Sequence, residues 1–113
     1  PVKITARAHG IKVAQPESLE GRFSTEGELF DGKWDFFLAA AYGKIIPKQI
    51  LDLPRFGTVN LHPSLLPLHR GPTPIQSTIL GGDKEAGVTL ILLDERVDHG
   101  PILAQREFTM TSD

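Results

Sequence analysis

Val59–Gly71 reads Val-Asn-Leu-His-Pro-Ser-Leu-Leu-Pro-Leu-His-Arg-Gly, and the rest of the fold is arranged around it. Together with the residue before it, the stretch opens on alternating polar and apolar side chains, which predicts a β-strand over Thr58–His62. Side chains alternate between the faces of a strand, so Asn60 and His62 share one face. Pro63 has no N–H for a ladder hydrogen bond and ends the strand. A polar pair at a strand end is where an open α/β sheet places its chemistry; the alternative is that the pair only bonds its own turn.

The rest of the chain alternates short helices with apolar strands, which predicts a three-layer α/β domain with a mostly parallel sheet. Prolines mark the helix starts and glycines mark two of the helix ends. The predicted helices cover 1–10, 47–53 and 72–80 (from Pro72 or Pro74), and the predicted strands cover 11–14, 36–42, 58–62, 87–93 and 101–108. The runs 36–42 and 88–93 are almost wholly apolar, so both faces of these strands are expected to be buried. Residues 17–33 are predicted as a surface connection; the alternative is short helices anchored by Leu19, Phe23, Leu29 and Phe30.

Composition indicates one globular domain of ordinary charge. The chain has 113 residues, of which 40% are apolar and 23% charged. A net charge of −2 does not indicate the positively charged surface that nucleic-acid binding proteins carry. The absence of cysteine excludes disulfides and thiol catalysis and fits a reducing compartment, so we expect a cytoplasmic location. We expect neither a membrane-spanning segment nor a signal peptide in this sequence. Four histidines without cysteine predict no metal site. No glycine-rich nucleotide-binding motif occurs.

Several short motifs resemble those of the formyltetrahydrofolate-dependent formyltransferases. The resemblance begins with Asn-x-His at 60–62, Ser-Leu-Leu-Pro at 64–67 and Arg-Gly at 70–71, and it extends over nearly the whole chain, to about Phe108. Further matching segments are Gly82-Asp83, Gly87-Val88-Thr89 and Val97-Asp98-His99-Gly100-Pro101-Ile102-Leu103. Within the family, Arg70-Gly71-x-x-Pro74-Ile75-Gln76 looks most like the members that act on methionyl-tRNA. The resemblance implies transfer of a formyl group from 10-formyltetrahydrofolate to the amino group of methionyl initiator tRNA during translation initiation.

Formyl transfer to an amine is an acyl transfer, which needs a donor to the developing oxyanion and a group that moves protons off the amine. An asparagine amide suits the first role and a histidine the second, and a neighbouring carboxylate orients the histidine. The resemblance implies these roles for Asn60, His62 and Asp98. From the residues alone, Asp98 is one acid among 14, and the alternative is a turn residue in Asp98-His99-Gly100. His99 stands where the family more usually has threonine.

The resemblance also implies a folate site. A flat heteroaromatic ring needs apolar walls and backbone hydrogen-bond partners at its edge. The implied residues lie in three segments: Tyr42, Gly43, Lys44, Ile45 and Ile46; Ser64, Leu65, Leu66 and Pro67; and Asp94, Glu95 and Val97. For Ile45 and Ile46, packing into the core is a second interpretation, and both can hold together.

We expect this chain to be shorter than members of the family. Members begin with a strand, a glycine-rich turn and a helix before the point where Pro1 falls, and those acting on methionyl-tRNA carry a C-terminal β-barrel domain. We therefore expect 1–113 to be part of a catalytic domain with little activity alone. Uncovered sheet edges and apolar surface beside 36–41 would favour a homodimer. The alternative functions are a sugar-amine formyltransferase, a formyltetrahydrofolate hydrolase and a non-catalytic folate-binding module.

Overall fold

The computed structural model of the protein describes residues 1–19, 32–96 and 98–111. The chain divides into two compact units, Pro1–Gly32 and Lys33–Asp113. None of the helices in the described parts is long and apolar enough to cross a membrane. Three of the predicted helix anchors, Phe23, Leu29 and Phe30, lie outside the described residues.

The described part of the first unit contains one helix, α1 (Val2–Ala8), within the predicted span. Its end is a Schellman motif: Gly10, at φ +68°, donates to the Arg7 carbonyl at 3.0 Å, and Ile11 donates to the Ala6 carbonyl at 2.9 Å. The predicted strand at 11–14 is wrong, because these residues pair with no strand in the described part of the chain. A segment of four residues forms a strand only when a neighbouring strand satisfies its backbone groups.

The second unit holds a four-stranded sheet and two short helices. Its elements are β1 (Phe37–Ala40), α2 (Lys48–Leu51), β2 (Thr58–His62), α3 (Pro74–Gly81), β3 (Glu85–Leu92) and β4 (Ile102–Thr109). The strands lie in the order β1-β2-β3-β4. The predicted α/β class is therefore confirmed, and each predicted element of this unit is present, β2 with the predicted ends and the others with shifted ends.

The sheet is mixed, and this corrects the expectation of mostly parallel strands. β1 and β2 are parallel, whereas β2–β3 and β3–β4 are antiparallel. The connection 93–101 between β3 and β4 is short and has no helix among its described residues, so it cannot make the crossover that parallel neighbours require.

The two faces of the sheet differ in an unexpected way. On β2 the polar side chains Thr58 and His62 are buried, while Leu61 on the opposite face is 40% exposed. β1 alternates between half-buried and exposed residues, so the expectation that both its faces are buried is wrong. On β3, Thr89 and Ile91 are fully buried and the residues between and beside them are half-buried, close to the expectation for that strand.

Candidate active site

The end of β2 carries the predicted polar pair on the buried face of the sheet. His62, which is 4% exposed, lies opposite Thr89 of β3, and Asn60 lies opposite Ile91. The Asn60 side chain is half-buried, and its carboxamide makes no hydrogen bond with any residue that the structure describes. β2 therefore presents a free amide donor two residues before a buried imidazole.

The imidazole of His62 is held at both ring nitrogens. Nε2 lies 3.0 Å from the main-chain oxygen of His69, and Nδ1 lies 3.5 Å from Oδ1 of Asp98. A carbonyl oxygen only accepts hydrogen bonds, so Nε2 carries the hydrogen in this arrangement. The Asp98 contact is longer than the roughly 2.7–3.2 Å of an ordinary N–H···O hydrogen bond, so it is mainly an electrostatic contact between buried groups. The structure thus brings together His62 and Asp98, to which the family resemblance implies catalytic roles.

Asp98 reaches His62 from the connection between β3 and β4. Leu93 donates to the Thr58 carbonyl at 2.7 Å, at the start of β2, so the connection runs from there to His62 at the end of that strand. Asp98 thus follows β3, which is antiparallel to β2. Asp98 is 7% exposed and has φ +55°, a left-handed conformation that aspartate tolerates better than most residues. Its Oδ2 accepts a hydrogen bond of 2.9 Å from the Gly71 backbone.

Gly100 allows this connection to lie close to the sheet because it has no side chain. A Cβ atom at position 100 would collide with the main-chain oxygen of Leu92. Only glycine therefore lets the chain pass this point and present Asp98, two residues earlier, to His62.

The loop after β2 is packed against the sheet at its first residues, while Pro67 and Leu68 are exposed. Ser64 and Leu66 are buried, and the Ser64 hydroxyl donates to the Leu68 carbonyl at 2.7 Å. Of the four loop residues implied for folate, Leu65 is half-buried and Pro67 is exposed. Pro67 and, less fully, Leu65 are therefore the members of this segment whose side chains are open to a ligand.

The remaining implied folate residues fall on two other segments. A cleft of about 400 Å³, here named the Lys48 cleft, is lined by Lys48, Leu51, Asp52, Leu93, Asp94, Glu95 and Arg96, which include the predicted Asp94 and Glu95. Tyr42–Ile45 are exposed and Ile46 is half-buried, on the segment that follows β1. Val97 lies outside the described residues.

Lys48 places a positive charge at the Lys48 cleft. Its Nζ lies 2.9 Å from Oδ2 of Asp52 and 3.9 Å from Oε1 of Glu95. The hydrogen bond to Asp52 raises the pKa of Lys48, so this side chain is cationic at neutral pH. Elsewhere in the described ranges, no three histidine or carboxylate side chains group together as metal ligands.

Sequence reasoning gave no role to His69 and did not single out Thr89 or Gln105. The His69 carbonyl holds His62, and its ring lies 2.5 Å from the Asp83 carboxylate. Thr89 was visible as the one hydroxyl in the apolar run 88–93. The backbone role of His69 left no signal in the sequence.

Comparison with known proteins identifies the family of this chain. A family profile described as formyl transferase matches residues 5–113. The methionyl-tRNA formyltransferase of Wolbachia pipientis subsp. Culex pipiens (strain wPip) is 51% identical over 109 residues, which make up 96% of this chain and 36% of that protein. The chain therefore spans about a third of the length of this curated relative.

Solved structures share the fold. The crystal structure of phosphoribosylglycinamide formyltransferase from Bacillus halodurans has a TM-score of 0.82 at 30% identity and covers 99% of this chain and 61% of its own. The crystal structure of HypX from Aquifex aeolicus in complex with tetrahydrofolic acid has a TM-score of 0.62 at 31% identity and covers 68% of this chain and 13% of its own. These matches confirm both the predicted formyltransferase fold and the resemblance read from the motifs. The chain belongs to the formyl transferase family.

Proposed function

We propose that the 113 residues are part of the catalytic domain of an enzyme that transfers a formyl group from 10-formyltetrahydrofolate to the amino group of methionyl-tRNA. The reaction belongs to translation initiation in the cytoplasm. The buried contact between His62 and Asp98, with the free amide of Asn60 on the same face, carries this proposal. The 51% identity to a methionyl-tRNA formyltransferase supports this acceptor over the others in the family.

The three side chains divide the work of acyl transfer. In the reaction the amine nitrogen bonds to the formyl carbon, the bond from that carbon to N10 of the folate breaks, and a proton from the amine ends on N10. The Asn60 amide donates to the oxygen on which negative charge develops. The His69 carbonyl holds Nε2 of His62 as a donor, so Nδ1 has the lone pair that accepts the proton. Asp98, 3.5 Å from Nδ1, balances the positive charge that the ring then gains.

The folate is proposed to lie across the exposed segment 42–46 and the Lys48 cleft. Tyr42 and Ile45 offer exposed apolar surface to a flat ring, and Gly43 leaves the backbone open for edge hydrogen bonds. Lys48 is paired with Asp52 and Glu95, so Arg96 is the cation of the Lys48 cleft that is left for the carboxylates of the glutamate tail of a folate. The buried Ser64 and Leu66 contribute by shaping the loop, while Leu65 and Pro67 are the residues of that loop available for contact.

The test is formyl transfer from 10-formyltetrahydrofolate labelled in the formyl group, using the full-length protein encoded by the gene that contains this chain. Methionyl-tRNA, an amino-sugar nucleotide and water alone are compared as acceptors. Labelled formylmethionyl-tRNA is the expected product. Labelled formate alone would identify a hydrolase, a labelled sugar would identify a sugar-amine formyltransferase, and folate binding without turnover would identify a binding module.

The activity and oligomeric state of the isolated 113-residue chain are a separate part of the proposal. It spans only 36% of its relative in Wolbachia pipientis, and its net charge of −2 favours no contact with tRNA. Taken alone, it is proposed to have little transfer activity and to form a homodimer through the apolar face of its sheet. Both properties are measured on the same purified chain, as argued at the end of the Discussion.

A further inference from the structure

We propose that Thr89 and Gln105 are positioning residues, which fix the loop 64–69 and through it the orientation of His62. The inference rests on the proposed function for its kinetic test alone. The structural arrangement that carries it is a row of three side chains across three strands.

His62, Thr89 and Gln105 are neighbours in the sheet. Thr89 of β3 pairs with His62 of β2 on one side and with Gln105 of β4 on the other. Residues directly opposite each other in adjacent strands point to the same face. The row therefore lies on the face that carries the candidate site, and the loop after His62 folds back over it.

The Thr89 hydroxyl uses its full hydrogen-bonding capacity on this loop and on Gln105. It donates to the Ser64 carbonyl at 2.7 Å and accepts from the Leu66 backbone at 3.2 Å and from Gln105 Nε2 at 2.9 Å. A hydroxyl has one donor and two acceptor positions, so none remains. Thr89 is 0% exposed, so it does not touch a substrate.

Gln105 completes the same network from β4. Its Nε2 donates a second hydrogen bond, of 2.7 Å, to the Leu66 carbonyl. Both hydrogens of the amide are thus used, one on Thr89 and one on the loop. Together the two side chains satisfy three main-chain groups of the loop: the Ser64 carbonyl, the Leu66 N–H and the Leu66 carbonyl.

The loop transmits this anchoring to His62. The Ser64 hydroxyl holds the Leu68 carbonyl at 2.7 Å, and Leu68 donates to the Leu65 carbonyl at 3.0 Å. The next carbonyl, that of His69, accepts from His62 Nε2 at 3.0 Å. A loop freed from Thr89 and Gln105 would move this carbonyl, and the imidazole would lose the bond that makes Nε2 its donor.

The kinetic test compares Thr89→Val, Thr89→Ser and Gln105→Glu in the full-length protein. Valine has the shape of threonine without its hydroxyl, serine keeps the hydroxyl, and glutamate keeps the length of glutamine without its two donors. Thr89→Val and Gln105→Glu are expected to lower kcat by about 10-fold or more with KM nearly unchanged, because a misplaced catalytic group slows the chemical step without weakening substrate binding. Thr89→Ser is expected to recover most of the rate. Thr109→Val, at an exposed threonine of β4, is the matched control.

A second readout needs no turnover. The ¹⁵N and ¹H resonances of the His62 ring, assigned from a His62→Asn variant, report which nitrogen carries the hydrogen and whether it is bonded. We expect an Nε2–H resonance that exchanges slowly in the wild-type protein and in Thr109→Val, and that broadens or shifts in Thr89→Val and Gln105→Glu. If the wild-type protein transfers no formyl group, the proposed function fails and this readout still decides the positioning role.

Three results would overturn the inference. They are unchanged His62 resonances in both Thr89→Val and Gln105→Glu, a change in KM alone, and a Thr89→Ser variant as slow as Thr89→Val. If Thr89→Val fails to fold, Gln105→Glu decides, because Gln105 lies on the exposed strand β4 and its substitution disturbs little packing.

Discussion

At the scale of single residues, the candidate site combines a side chain that has partners at both ring nitrogens with one whose amide has none among the described residues. His62 has partners at both ring nitrogens, so its tautomer and orientation are set before a substrate arrives. The Asn60 side-chain amide makes no hydrogen bond with the described residues, so it can bind a ligand without breaking a contact. A preset base and a free donor are the conditions that electrostatic preorganisation requires.

Replacing His62 tests the proton carrier. His62→Ala in the full-length protein is expected to lower kcat by about 10² or more, the usual scale for loss of general acid–base catalysis. The measurement is the initial rate of formylmethionyl-tRNA formation at saturating folate. His9→Ala, at an exposed histidine just after α1, is the control and should keep the wild-type rate. A His62→Ala variant with near-normal kcat would remove His62 from the mechanism.

Replacing Asn60 tests the oxyanion donor. Asn60→Ala is expected to lower kcat by about 10² to 10³, as for other lost oxyanion donors. Its melting temperature should change little, because the wild-type amide makes no hydrogen bond within the described residues. Rate and thermal unfolding are measured on the same preparation. A large fall in melting temperature with a normal rate would show that Asn60 is structural.

Asp98 combines a charge with a hydrogen bond, and two variants separate them. Asp98→Asn removes the charge but keeps an acceptor for the Gly71 N–H and a residue that tolerates φ +55°. Asp98→Ala leaves that N–H without its partner and should cost about 1–3 kcal/mol in the free energy of unfolding. We expect both variants to be slow and only Asp98→Ala to be clearly less stable, by urea denaturation. Equal stability of the two would mean that the Gly71 hydrogen bond contributes little.

At the scale of elements, the connection between β3 and β4 determines whether the site exists. Gly100→Ala would push this connection away from Leu92, with which the new methyl group collides. Asp98 would then move from His62, so we expect loss of both stability and rate. Gly10→Ala is the comparison: position 10 has open space and φ +68°, so it adds backbone strain of about 1–2 kcal/mol without a collision. A Gly100→Ala variant with the wild-type rate would show that the connection adapts.

The sequence predicted the helices and strands of the second unit better than it predicted strand pairing and the burial of polar residues. β2 and the shared face of Asn60 and His62 follow from a period of two, which depends on local geometry alone. The strand predicted at 11–14 failed because a strand depends on a partner that local sequence does not name. The burial of Thr58 and His62 was also missed, since polar residues are buried only where tertiary hydrogen bonds satisfy them. Asp98 came from the family resemblance, because no local rule brings a residue of the β3–β4 connection to the end of β2.

At the scale of the whole molecule, one face of the sheet is apolar and open. Leu38 of β1 pairs with Val59 of β2, and Leu61 of β2 pairs with Leu90 of β3, so these side chains form one patch across three strands. Leu38 is 61% exposed and Leu61 is 40% exposed. The patch lies on the side of β2 opposite His62. Contiguous apolar surface of this kind favours association with another chain.

We therefore expect the isolated 113-residue chain to form a homodimer, with little transfer activity, when it is purified by itself. A net charge of −2 gives only weak repulsion between two copies. The measurement is sedimentation velocity at several protein concentrations, with formyl transfer assayed on the same samples. Leu38→Gln combined with Leu61→Gln should shift the chain toward monomer, whereas Leu80→Gln, at a leucine of α3 that is 87% exposed, should not. A wild-type chain that stays monomeric and turns over rapidly would show that the open face needs no cover and that these residues suffice for catalysis.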